Sequence, residues 1–341
     1  MKHNVKVTVI ILVMFLISMF IGLAVIGSYD NFFGKSAQEA AKEKNVSVEK
    51  PELSFVVETV PEPIEFKRTI DVVSVIVSIL IAIAIAVGLF FLLTRLRINV
   101  VLKGWFTVIV FICLVIALTM ILYSVMGGPK SLFTLFGRTV ALGEVIAIPL
   151  AAFLTYFKIK KRDMIAHNLS ELLIYPGIAV IFVPILNVLA AAILLILISV
   201  YDMIAVWKTK HMQALAKYQI THLKIFSGFF LPYAGKKEKA KIKRIRSKAK
   251  AMKSKKKREI FLKKQKVNLN VAALGGGDVA FPLIFIGTIL ITHGFLPALT
   301  VVLTTLLALG LLLFFAKKGK FYPAMPFLSA GCFLGLLLIL I

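Results

Sequence analysis

The chain is organised by long apolar runs that short polar segments separate. A membrane-spanning helix needs about 20 mostly apolar residues. Runs of roughly this kind lie at 5–27, 72–93, 104–125, 139–157, 184–207, 271–293, 295–316 and 322–341. A shorter run at 168–183 lies between a basic segment and Pro184. With that run the pattern predicts nine transmembrane helices, and the first is too long for the apolar part of a cleaved signal peptide.

Composition agrees with a membrane protein. Of the 341 residues, 60% are hydrophobic and only 17% are charged, whereas soluble globular domains have about 25% charged residues. A disordered chain would be poor in large apolar residues. We therefore expect an all-α multi-pass membrane protein. The two cysteines, Cys113 and Cys332, lie in separate apolar runs, and we expect them to be packing residues that hold no metal.

Basic residues predict how the chain crosses the membrane. With nine spans, 33 of the 41 Lys and Arg residues fall on one side, and 21 of these lie in 208–270. Because cytoplasmic loops carry the excess of Lys and Arg, we expect a cytoplasmic N-terminus and an extracytoplasmic C-terminus. The predicted organisation is helices 1–6 in 1–207 with an extracytoplasmic loop at 28–71, a basic cytoplasmic loop at 208–270, and helices 7–9 in 271–341.

Two loop segments have patterns of their own. Within 28–71, the segment 52–60 has a strand-like composition bracketed by prolines. The segment 236–266 is densely basic and contains a single aromatic residue, Phe261, so aromatic residues are not interleaved along it. It therefore predicts contact with anionic lipid and no specific nucleic-acid binding, since RNA recognition favours aromatic stacking. Aromatic residues just before it are candidates for the membrane interface, namely Phe226, Phe229, Phe230 and Tyr233.

Four acidic residues lie within or beside the predicted spans: Glu144, Glu171, Asp202 and Asp278. A carboxylate at the bilayer centre costs about 2.5–3.5 kcal/mol on insertion scales, so each is a functional candidate. We expect Glu171 to reach the membrane interface from the end of a short span. For Glu144, pairing with Arg138 or exposure to water is a sufficient explanation.

Asp202 and Asp278 differ because they lie on the two spans that flank the same basic loop. At about 1.5 Å per helical residue, their predicted depths from that interface are about 9 and 12 Å. A facing pair is the simplest interpretation, and two independent helix–helix contacts are the alternative. Two facing carboxyls share a proton. Aspartic peptidases use such a pair to activate water and polarise a carbonyl, and a transporter uses one as a proton relay.

The surroundings of the aspartates contain three further signals. Gly275, Gly276 and Gly277 precede Asp278, and glycine permits close approach by another chain. The segment 267–271 alternates apolar and polar residues, which predicts a strand whose Leu269 and Val271 lie beside an extended substrate. A polar lead-in to a helix is the alternative. Pro323 and Pro326 predict a disrupted first turn in the last span.

These residues together resemble the GxGD intramembrane aspartyl proteases, the presenilins and signal peptide peptidases. Tyr201-Asp202 matches the YD motif, Gly275–Asp278 matches GxGD, and Pro323-Ala324-Met325 takes the place of PAL, with Met instead of Leu. The nine spans and the long sixth-to-seventh loop also match, so the resemblance covers the whole chain. It implies a presenilin-like bundle in which Asp202 and Asp278 are catalytic and Pro323 to Met325 shape the active site.

The resemblance implies a peptidase that hydrolyses transmembrane segments or signal peptides without a metal or cofactor. Tyr201–Val206 and Pro323–Pro326 look presenilin-like, whereas Gly277–Pro282 looks closer to the signal peptide peptidases, and the mixture is similar to archaeal presenilin homologues. A proton-coupled transporter that uses the same aspartates is the alternative function. The sequence leaves the substrate, the cleavage position, self-cleavage of the basic loop and the oligomeric state open.

Overall fold

The computed structural model describes residues 5–34, 73–79, 99–135, 138–161, 163–209, 227–233, 270–316 and 322–341, with isolated further residues at 60, between 81 and 92, and between 238 and 247. The helices are α1 (Val5–Phe33), α2 (73–79), α3 (Asn99–Met126), α4 (Leu142–Tyr156), α5 (Met164–Phe182), α6 (Val188–Met203), α7 (Gly277–His293), α8 (Phe295–Phe315) and α9 (Met325–Leu340). The strands are β1 (Ser131–Leu135), β2 (Arg138–Ala141), β3 (Gly228–Tyr233) and β4 (Asn270–Gly275). Turns of π-helix follow α4 at Phe157–Lys161 and α6 at Ile204–Thr209, and Val183–Ile185 is a 3-10 turn.

The helices confirm the predicted all-α membrane architecture. Within the described parts of the chain, six helices are long and apolar enough to cross a membrane, while α7 and α9 are shorter apolar helices. Helices dominate the apolar runs because a lipid-exposed backbone must satisfy its hydrogen bonds within the segment. The second predicted span, 72–93, is described only in part, so the count of nine spans is approximate.

Side-chain caps place two helix starts away from the predicted bounds. Asp163 accepts hydrogen bonds from the backbone N–H groups of Ile165 and Ala166 at 2.8 and 3.1 Å, so α5 begins four residues before the predicted run. Asn187 accepts one from Ala190 at 2.7 Å, so α6 begins at Val188 and not at 184. Asx caps of this kind satisfy N–H groups that an isolated helix end leaves unpaired.

Other bounds also differ from the expectations. The helix α1 continues to Phe33, so the first residues assigned to the 28–71 loop are helical. The run predicted to begin at 139 starts with β2, which forms an antiparallel hairpin with β1, and α4 begins only at Leu142. The predicted strand at 52–60 lies outside the described residues except for Val60.

The core of the bundle lies around α5, which packs against α1, α3 and α7. On its other side α7 packs against α6, α8 and α9. The turn between α7 and α8 is made by Gly294, whose φ of +88° is a conformation that glycine adopts without a steric penalty. Both cysteines are buried and free, as a packing role requires.

Small residues let α8 and α9 pack closely. A Cβ atom on Gly331 would lie 2.9 Å from Thr305 Cα, and one on Gly335 would lie 2.7 Å from Val301 Cα. These glycines are four residues apart on one face of α9, the small-xxx-small spacing that brings membrane helices together. Close packing of this kind fixes where α9 lies relative to α8.

Replacing Gly335 with leucine should therefore force the two helices apart. Overpacking of a tight core costs about 1–3 kcal/mol, and thermal unfolding in detergent should report a lower Tm. Gly310→Leu on α8 is the matched control, because the nearest atom to a Cβ there is Leu12 Cδ1 at 3.9 Å. An equal loss of Tm in the two variants would contradict this account of the α8–α9 contact.

Candidate active site

Asp202 lies where α6 passes into the π-helical turn Ile204–Thr209. Such irregular turns are frequent at functional sites. Its side chain is buried, and its Oδ2 accepts a hydrogen bond from the backbone N–H of Met325 at 3.1 Å. The backbone of Ala324 interacts with the same carboxyl group. Asp202 is thus anchored to the first residues of α9.

Asp278 is the second residue of α7 and follows β4 directly. The expectation that a helix starts at 271 is therefore wrong, and so is the depth estimate for Asp278 that assumed it. The turn that carries Asp278 is tight, since a Cβ atom on Gly275 would lie 3.0 Å from Asp278 Oδ2. The carboxyl groups of Asp278 and Asp202 are close enough to interact electrostatically. The helices α6 and α7 also pack against each other. The two carboxyl groups are therefore placed as a facing pair requires.

A two-stranded antiparallel sheet leads into this turn. The strands β3 and β4 pair from Gly228 opposite Gly275 to Tyr233 opposite Asn270. The strand expected at 267–271 is present from Asn270 onward and is longer toward the glycines than predicted. Val271 is in the ladder opposite Pro232, whereas Leu269 lies outside the described residues.

The far edge of β3 is covered by the start of α5. The Asn168 side chain donates to Phe230 O and accepts from Phe230 N, each at 3.0 Å. His167 Nε2 lies 2.9 Å from Gly228 O, as a donor to that carbonyl. Phe229 is fully buried, so its predicted position at the membrane interface is wrong. Among the described strands, β4 pairs only with β3, and its other edge has no strand beside it.

The remaining candidates fall at two places. Pro323 is buried and Ala324 is half-buried, and α9 begins only at Met325, which confirms the disrupted first turn. Tyr201 lies on the outer side of α6 with 49% of its surface exposed, although it neighbours Asp202 in sequence. Gly276 lies under Tyr175, whose Cε1 would be 3.2 Å from a Cβ atom there. Gly277 begins α7.

The sequence reasoning missed a buried ion pair next to the site. Glu171 is 1% exposed, so the expectation that it reaches the interface is wrong. Its Oε1 pairs with Nζ of Lys158, which is also buried in the π-helical turn after α4. Lys158 was counted only as a loop charge, although its separation of 13 residues from Glu171 across a short turn was a usable signal.

Glu144 is also buried, at 2% exposed. Exposure to water is therefore wrong as an explanation of this carboxyl group. Pairing with Arg138 stays a prediction, because the Arg138 side chain lies outside the described residues.

Chemically, the site offers two carboxyl groups, backbone N–H donors and an edge of β4 with which no other described strand pairs. In the described part of the chain, no group of three or more His, Cys, Asp or Glu side chains is placed to hold a metal ion. Two interacting carboxyls suffice for acid–base activation of a water molecule. The arrangement can thus support hydrolysis of a peptide bond in an extended segment.

Comparison with known proteins points to the same chemistry. A family model described as signal-peptide peptidase, presenilin aspartyl protease matches residues 56–341. A solved structure of a presenilin family intramembrane aspartate protease, in space group C222, is similar with a TM-score of 0.56 and 19% identity over 97% of each chain. A second such structure, in space group P2, gives a TM-score of 0.52 and 18% identity over 96% of this chain and 95% of that one. No curated protein sequence matches the chain. The structural likeness confirms the predicted fold.

Proposed function

The chain belongs to the signal-peptide peptidase and presenilin family of aspartyl proteases and is an intramembrane protease, and we propose that Asp202 and Asp278 are its catalytic pair. The observation that carries this proposal is the electrostatic proximity of the two carboxyls on adjacent helices. Family membership favours the protease over the proton-coupled transporter that the aspartates alone would also permit.

In the proposed reaction, one ionised carboxylate takes a proton from water as the water attacks the scissile carbonyl. The other carboxyl group, protonated, donates a hydrogen bond to the carbonyl oxygen. The tetrahedral intermediate collapses once the leaving nitrogen receives a proton. Water and the two carboxyls supply every proton in this sequence, so neither a covalent enzyme intermediate nor a metal is required. The donors from Ala324 and Met325 hold Asp202 in place for this exchange.

The substrate segment must be extended before it is cut, since the amide of an intact helix is hydrogen-bonded and shielded. We propose that it adds to the free edge of β4, so that main-chain hydrogen bonds hold it unwound. Asn168 and His167 cover the far edge of β3, which supports β4 as the edge that receives the substrate. Leu269 and Val271 then lie beside the substrate, and the ladder directs it toward Asp278.

The protein is an integral multi-pass membrane protein that acts on membrane-embedded polypeptides. We further propose that its N-terminus and the 208–270 loop are cytoplasmic and its C-terminus extracytoplasmic, because the basic residues divide in that way. This orientation retains the predicted division into 1–207, 208–270 and 271–341. The basic segment 236–266 would then contact anionic lipid of the inner leaflet, at roughly 1 kcal/mol per basic residue near the surface.

Mass spectrometry of a single-span reporter helix incubated with the purified protein tests the function. We expect two complementary products from a cut within the apolar segment, and both should disappear with an aspartyl-protease transition-state inhibitor. A reporter with the same soluble tags joined by a polar linker in place of the membrane span is the control for contaminating proteases. Products that persist with the inhibitor would contradict an aspartyl mechanism.

A further inference from the structure

A polar chain of three side chains runs from the ion pair to the glycine turn that carries Asp278. It consists of Lys158, Glu171 and Tyr175. Lys158 pairs with Glu171 Oε1, and Glu171 precedes Tyr175 by one helical turn, so both lie on one face of α5. Tyr175 interacts electrostatically with Glu171 and with Asp278, and its hydroxyl is within hydrogen-bonding reach of Glu171. The chain therefore reaches the candidate active site from behind the turn.

The ring of Tyr175 is held between two parts of the site. It packs edge-on against Phe229 of β3, with ring centroids 5.5 Å apart. On its other side it lies over Gly276, where a Cβ atom would be 3.2 Å from Tyr175 Cε1 and 3.4 Å from the hydroxyl oxygen. The ring thus contacts both the β3 strand and the turn that follows β4.

The hydroxyl group of Tyr175 is in an unusual position. Tyr175 is 1% exposed, and neither its hydroxyl nor Glu171 Oε2 meets full hydrogen-bond geometry with a described residue. Burying an unpaired hydroxyl costs about 1–3 kcal/mol, and the interaction of Tyr175 with Glu171 offsets this cost only in part, because the geometry is incomplete. A phenylalanine would fill the same space against Phe229 without that cost. Because this buried hydroxyl also interacts with Asp278 and lies against the glycine turn, it indicates a role besides packing.

We propose that Tyr175 is a positioning residue for Asp278, an inference that rests on the proposed function. The charge of Glu171, fixed by Lys158, orients the Tyr175 hydroxyl as a dipole beside Asp278, and the ring keeps the Gly275–Gly277 turn in place. Tyr175 touches neither water nor the scissile bond in this role. It acts by keeping the Asp278 carboxyl at the distance from Asp202 that the reaction needs.

The variant Tyr175→Phe tests the role of the hydroxyl. In proteoliposomes with the reporter helix, we expect kcat to fall about tenfold while KM changes less than twofold, because small misplacements of reacting groups reduce rates strongly. The Tm should remain within about 2 °C of wild type, since the ring contacts persist. Tyr123→Phe is the matched control, as Tyr123 is also fully buried but contacts Phe32 and Phe33 of α1. It should retain the wild-type kcat.

A double-mutant cycle tests the contact with the turn. Gly276→Ala introduces a Cβ atom 2.9 Å from Ser227 Oγ, 3.2 Å from Tyr175 Cε1 and 3.4 Å from the Tyr175 hydroxyl oxygen. The part of its effect on kcat that comes from the hydroxyl should be absent in the Tyr175→Phe background, while the contact with Ser227 persists in both backgrounds. Additive effects would contradict a shared contact.

Two outcomes overturn the inference in different ways. If wild type and Tyr175→Phe cleave the reporter at the same rate, or if the kcat of Tyr175→Phe falls only with the fraction of folded protein, the inference is wrong and the proposed function stands. If wild type does not cleave the reporter at all, both are wrong.

Discussion

Replacing either Asp202 or Asp278 with asparagine is expected to abolish cleavage of the reporter helix. Asparagine keeps the shape of the side chain but can neither take a proton from water nor donate one to the leaving nitrogen. Proton transfer by a positioned group contributes about 10²–10⁴-fold, and each aspartate serves both directions in turn. A fall of at least about 10³-fold in kcat/KM is therefore expected for each variant.

The double variant should be no worse than either single one, because the two carboxyls act as one unit. Asp30→Asn is the matched control, since Asp30 is a buried carboxyl near the other end of the bundle, on α1, and cleavage should persist there. Equal Tm values exclude misfolding as the cause. Turnover that survives in either the Asp202 or the Asp278 variant would show that the catalytic pair is misassigned.

The second large effect concerns the stability of the Lys158–Glu171 ion pair. Lys158→Met leaves the Glu171 carboxylate buried without its countercharge. Glu171→Gln leaves the Lys158 ammonium group buried without its countercharge. Breaking a buried pair from one side typically costs about 3–5 kcal/mol, whereas replacing both partners with apolar residues is often neutral. We therefore expect a large fall in Tm for each single variant and recovery in Lys158→Met/Glu171→Leu.

Lys160→Met provides the control for this series. Lys160 lies in the same π-helical turn but is exposed, with its Nζ over the Tyr156 ring at 5.7 Å. Substitutions of exposed residues usually change the free energy of unfolding by less than about 0.5 kcal/mol. A double variant as unstable as the single ones would mean that the pair itself stabilises the fold, and that burial of an unpaired charge is not the cause.

The apolar runs predicted which segments are helical, but the bounds depend on single polar residues. A run of apolar residues in lipid has few alternatives to a helix. The start of α5 is fixed by Asp163 and the start of α6 by Asn187, both of which are visible in the sequence as Asx residues. Averaging hydropathy over a span hides such caps.

The strands could be predicted only in part. The alternation near Val271 indicated β4, but its partner β3 lies some 40 residues earlier, beyond the basic segment. Nothing local in Gly228–Tyr233 specifies that pairing, and its aromatic residues equally fit a membrane interface. The contacts of β3 with α5, between Phe230 and Asn168 and between Phe229 and Tyr175, decide the strand position.

The sequence predicted the role of an acidic residue well only where it also located the group with which that residue interacts. Asp202 and Asp278 were found because motifs and the shared loop tie them to one face of the membrane. Glu171 was misinterpreted because its partner belongs to another helix and was counted for topology. A charged residue near the end of a span can thus form an ion pair that is buried between helices, even when its position in the sequence places it near the lipid headgroups.

The hydrogen bond from Met325 to Asp202 has a consequence for biosynthesis. A ribosome delivers α9 after every other described helix, so an insertion intermediate holds Asp202 without the amide donors of Ala324 and Met325. The nascent enzyme therefore completes its site only when α9 has joined the bundle.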